Sequence, residues 1–119
     1  GLYAHSGLFN TTVSLRALAL SSAGSPLYAG WLHWAANRAV YRLDAATGAV
    51  LSSYDLATVQ ANTAATDDRG NVYLGYGENG LGRIEVRNAT LAAQIAGPFD
   101  GGRTSDIEGL DIWSPGAGT

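Results

Sequence analysis

The chain has 119 residues, 46% of them apolar and 14% charged, with a net charge of −3 and a cation set made only of Arg. That balance opposes intrinsic disorder, and no basic face marks a nucleic-acid binder. There is no Cys, which excludes disulfide frameworks and thiolate metal sites, and no apolar run reaches the length of a membrane helix.

In chain order, the first elements are short apolar strands broken by polar turns. Leu18-Ala19-Leu20 is followed by Ser21-Ser22-Ala23-Gly24-Ser25-Pro26 and then by Leu27-Tyr28-Ala29-Gly30. Trp31-Leu32-His33-Trp34, with Asn37 and Arg38, sits between that strand and the next. Val40 to Leu51 reads as a hairpin. Tyr41 and Leu43 alternate with Arg42 and Asp44, the period of a strand with one buried face. Asp44 to Gly48 is the turn, where the Asp accepts from backbone two residues on and the Gly takes a left-handed conformation. The return strand runs to about Leu56.

Ala57 onward is a connection, then a strand. Ala64-Ala65-Thr66 leads through Asp67-Asp68-Arg69-Gly70-Asn71 into Val72-Tyr73-Leu74-Gly75, and Asn79-Gly80 marks a further hairpin turn. In Arg83 to Ile95, alternation predicts Ile84 and Val86 facing in and Arg83, Glu85 and Arg87 facing out. Asn88-Ala89-Thr90 sits where Ala45-Ala46-Thr47 sits. A last strand is expected at Leu110 to Trp113, and Gly1-Leu2-Tyr3-Ala4 is similar to Pro26-Leu27-Tyr28-Ala29.

These segments repeat. Tyr28 and Tyr73 stand one period of about 45 residues apart, within the range of propeller blades. The expected fold is therefore all-β: four-stranded antiparallel β-propeller blades over 16–56 and 57–97. A split blade takes its end from 1–15 and its start from 98–119. The chain lacks Met and opens at Gly1, as a processed or cut polypeptide does. Three arrangements remain open: a fragment of a longer propeller, identical chains completing one another's split blade, or a small sandwich or barrel.

VYRLDAATGAVL, Val40 to Leu51, resembles the quinoprotein-like (PQQ-type) repeat, a strand, Asp-x-x-Thr-Gly, strand hairpin stacked into propellers. The turn Asp67 to Tyr73 resembles the inner hairpin of many propeller families. The resemblance implies a propeller fold. The chain departs from it at Ser52, where quinoprotein blades carry a docking Trp. The second copy has Arg87 in place of the turn Asp and Leu91 in place of the Gly. No position matches the calcium site or acidic catalytic residue of quinone enzymes, so no catalytic residue, metal site or cofactor is assigned.

Trp31, His33, Trp34, Asn37 and Arg38 are the candidate ligand-binding residues, since aromatics beside polar donors suit sugar rings or a protein partner. His5 and His33 lack the carboxylate company of a metal or acid–base site. Asp106, Glu108 and Asp111, near Asp100, form the densest carboxylate group. Asn10 and Asn88 fit the glycosylation acceptor pattern. The expected function is a noncatalytic module binding protein or glycan, or serving structural assembly, outside the cell or on its surface. Copies of the chain are expected to pair through open blade edges. The alternative is a piece of a quinoprotein-like enzyme whose active residues lie on other blades.

Overall fold

The computed structural model describes residues 14–21, 23–32, 39–56, 61–76, 82–99, 107 and 109–112, with backbone alone at 14–16, 31 and 32. Every regular element among them is a strand. β1 (Ser14–Leu20), β2 (Leu27–Leu32), β3 (Ala39–Leu43) and β4 (Val50–Asp55) form one antiparallel sheet in chain order. β5 (Ala61–Thr66), β6 (Val72–Tyr76), β7 (Arg83–Arg87) and β8 (Gln94–Phe99) form a second in the same order.

Local chemistry sets the turns. Asp44 Oδ1 accepts from the amides of Ala46 and Thr47 at 2.9 and 3.0 Å, and Gly48 has φ 76°. Asp67 Oδ1 accepts from Arg69 and Asn71, both at 2.9 Å, with Gly70 at φ 85°. Both are side-chain-capped turns closed by a residue without a Cβ. The third turn corrects the expected alignment. Asn88 N donates to Ala93 O as Asp44 N does to Ala49 O, so Asn88, not Arg87, stands in Asp44's place. Here Leu91 takes the positive φ, 69°. Its buried side chain in the inter-sheet core offsets the steric cost of that conformation.

The two sheets share most of their irregularities as well as their order. The β1–β2 register shifts between Leu15 and Ala17, and the β5–β6 register shifts between Ala61 and Thr63. The β3–β4 ladder shifts between Arg42 and Leu43 and the β7–β8 ladder between Val86 and Arg87, with one further shift, between Ile84 and Val86, that the first sheet lacks. Bulges re-aim side chains, so matched bulges give the two sheets matching faces.

One face of each meets the other. Ala17, Ala19, Tyr28 and Val40 of the first sheet pack with Ala61, Ala64, Val72, Leu74 and Tyr76 of the second, with Leu91 among them. Small residues on the innermost strands let the backbones approach, and Thr66 Oγ1 donates to Leu20 O at 3.0 Å across them. The stacking has a direction. Gly30 lies opposite Ala17, and a Cβ there would stand 3.1 Å from the Cβ atoms of both Ala17 and Ala61. Gly75 lies opposite Thr63, and a Cβ there would stand 2.6 Å from the Cγ2 atoms of both Thr63 and Ile107. Ile107 thus stands to the second sheet as Ala61, the start of the next sheet, stands to the first.

Two further expectations are corrected. Glu85 and Arg87 do not face solvent: Glu85 is 2% exposed and Arg87 is buried. Alternation sorted the two faces of β7 properly, but the polar face is the one laid on the first sheet. Leu110 to Ile112 lie outside any strand. The expected strands at Gly1–Ala4 and at Trp113, and the Asn79-Gly80 turn, lie outside the described residues.

Candidate functional site

Strand direction divides each sheet into two ends. The tight turns after β1, β3, β5 and β7 gather at one end. The connections between β2 and β3 and between β6 and β7 leave from the other. Trp31 belongs to the second end: its backbone lies in β2, paired with Leu15 beside the bulge. Its side chain, with His33, Trp34, Asn37 and Arg38, lies outside the described residues. So do Asn10, His5, Asp100, Asp106 and Glu108. Asp111 is described and exposed. Among the described residues, no group of three His, Cys, Asp or Glu is placed to hold a metal ion.

At the tight-turn end, Asn88 is engaged within its own turn. Its Oδ1 accepts from Thr90 Oγ1 at 3.1 Å and from Ala93 N at 3.2 Å. The turn is also tied to the first sheet, since Tyr28 OH donates to Ala89 O at 2.5 Å and Ser52 Oγ to Thr90 O at 2.7 Å. Asn88 therefore sits in a turn held by contacts between sheets, with Thr90 exposed beside it.

The densest chemistry among the described residues lies between the sheets. Glu85 Oε1 accepts from Tyr54 OH at 3.2 Å and Tyr76 OH at 3.0 Å, while Oε2 pairs with Arg87 Nη1 at 2.5 Å. Arg87 Nε donates to Leu91 O at 2.6 Å, and its guanidinium lies 3.6 Å from the centroid of the Tyr54 ring. Burial, and then the charge of Glu85 and its hydrogen bond, push the Tyr76 hydroxyl well above the ordinary tyrosine range. Burial, then the hydrogen bond and charge of Glu85, also raise the Tyr54 hydroxyl, against the opposing pull of Arg87.

Both carboxylate oxygens are taken, and Arg87 donates to Glu85 Oε2, Leu91 O and Ala92 O. A general acid or base needs a proton within reach of substrate; this group is sealed and its partners are protein. It acts as a clasp joining β4 to β7. Sequence reasoning missed it because Tyr54 and Glu85 belong to different sheets. The available signal was an acid and a base two residues apart on one strand face, beside the preceding strand with its Tyr73 and Tyr76.

The chain matches no family model, and no curated protein matches its sequence.

Proposed function

We propose that the chain is a noncatalytic β-propeller module, with the two sheets as successive blades, serving binding or assembly outside the cell or on its surface. The observation that carries this reading is the directional stacking at Gly30 and Gly75. A sandwich buries one face of each sheet against the other. A propeller lays the same face of every blade on its neighbour, and the Ala61 and Ile107 contacts follow that rule. Gly24, Gly70 and Gly116 recur at equal intervals in the sequence, in keeping with a third hairpin after Ile107.

In this reading the long-connection end is the recognition surface, as loops on a rigid scaffold are elsewhere. Trp31 and Trp34 supply aromatic faces there, with His33, Asn37 and Arg38 as polar contacts for a glycan or a protein partner. Asn10 and Asn88 are glycosylation acceptors if the chain is secreted by a cell that glycosylates. The sealed state of Glu85, the densest ionisable group described, favours a module over an enzyme. Melting the chain with saturating calcium and a soluble pyrroloquinoline quinone tests for a quinone site on this chain. A module keeps its melting temperature; a rise with both ligands together overturns the noncatalytic reading in favour of a quinoprotein-like enzyme.

A further inference from the structure

We infer that the face of the first sheet turned away from the second is a docking surface for a second copy of this chain. The inference rests on the directional stacking described above. That face carries Leu18 and Leu20, 57% and 54% exposed, beside Leu27 and Tyr41, which pack on the buried pair Ala29 and Leu43. None of these side chains is charged. Exposed leucines side by side on a flat sheet are what monomeric proteins avoid.

The occupant follows from position. Leu18 and Leu20 stand on β1 where Ala64 and Thr66 stand on β5, and Leu27 and Ala29 stand on β2 where Val72 and Leu74 stand on β6. On the second sheet these positions form the face laid on the first sheet, with Val72 and Leu74 fully buried. The same face of the first sheet therefore has the shape and register to receive another sheet of this kind.

At the opposite end of its stack, Ile107 packs over Gly75 of the second sheet. A contact between unlike ends is heterologous, so copies continue the stack and close into a ring or extend. Edge pairing is a different contact. It would use an outer strand such as β8, where Ile95 is also exposed.

Sedimentation velocity over a concentration series decides between them. The unmodified chain is expected to self-associate. Leu18→Glu with Leu20→Glu is expected to weaken association about 100-fold, about tenfold for each leucine removed from an apolar contact. Ile95→Glu is expected to leave it unchanged. Circular dichroism reports whether each variant folds. If the charged face pair does not fold, Leu20→Gln alone carries the test, with about a tenfold loss expected. A chain that stays monomeric up to its solubility limit overturns the inference. So does a folded face variant that associates as tightly as the unmodified chain, or association lost only in the edge variant. Association through this face into particles without a central channel by small-angle scattering contradicts the propeller reading and leaves the docking surface standing. A ring closed by one copy does the reverse.

Discussion

The Tyr54 hydroxyl on β4 reaches across to Glu85 Oε1 on β7 at 3.2 Å, and the same tyrosine ring lies under the Arg87 guanidinium. One side chain of the first sheet thus contacts both members of a buried ion pair in the second. A buried pair is held in place because breaking it leaves one charge without a partner. Glu85→Ala is expected to destabilise the chain by about 3–5 kcal/mol, because Arg87 keeps its charge in a closed site. Urea denaturation measures the loss.

Tyr54→Phe keeps the ring beneath Arg87 and removes only the hydroxyl. It is expected to cost about 1 kcal/mol, the net worth of one hydrogen bond. Tyr54→Ala removes the ring as well and is expected to cost clearly more. Equal losses in the two variants, again by urea denaturation, would show that the stacking on Arg87 contributes nothing.

Close packing at the two equivalent glycines differs in degree. A Cβ at Gly75 meets Thr63 and Ile107 at 2.6 Å, whereas one at Gly30 meets Ala17 and Ala61 at 3.1 Å. Gly75→Ala is expected to cost about 1–3 kcal/mol as an overpacked site, and Gly30→Ala less. Because Cγ2 atoms cause the clash, Thr63→Ser together with Ile107→Ala is expected to restore part of the loss. Thermal melts of the three variants rank them.

The pH response has two limbs. Burial tends to raise the Asp67 carboxyl, but the amides of Asn71 and Arg69, the Asn71 side chain and the Tyr73 hydroxyl together outweigh it and hold it low. The amides of Thr47 and Ala46 hold Asp44 low as well. A lowered carboxylate contributes stability above its unfolded value of about 4. That contribution is lost as pH falls through the folded values. Stability is therefore expected to drop below about pH 4, less steeply in Asp67→Asn. Tyr54 and Tyr76 are raised, so their contribution is whole below the unfolded tyrosine value of about 10 and declines as pH rises beyond it. Denaturation curves across both ranges check the slopes. A Tyr54→Phe, Tyr76→Phe chain with an unchanged alkaline slope would contradict the assignment.

The parts of this fold that were legible in the sequence are the local ones. Asp44 and Gly48 announce their turn because the hydrogen bonds lie within four residues. The alternation of Tyr41 and Leu43 with Arg42 places β3 on a sheet for the same reason. Layering was not legible. Alternation along Arg83 to Arg87 separates a polar from an apolar face, yet says nothing about which is covered, and here the first sheet covers the polar one. The turn at Asn88 slipped by one residue because Leu91, not a glycine, carries the left-handed conformation. Of the candidate site, the sequence picked out Trp31 and its neighbours by composition. The clasp of Tyr54, Glu85 and Arg87 depends on a contact between residues far apart in the chain, which no local pattern encodes.

The most direct test of the directional stack is a pair of engineered disulfides in a chain that has no Cys of its own. A Cβ at Gly30 would lie 3.1 Å from that of Ala61, and one at Gly75 3.2 Å from that of Ile107, a little shorter than the usual disulfide range of about 3.5–4.5 Å, so a small relaxation brings each pair to bonding geometry. Gly30→Cys with Ala61→Cys is made in an Ala17→Gly background, and Gly75→Cys with Ile107→Cys in a Thr63→Ala background, to relieve the neighbouring contacts. Mass spectrometry after mild oxidation reads each closure. The account predicts that both pairs close within one chain. Closure of the first pair without the second would contradict it, because Ile107 would then not begin a further layer on the second sheet.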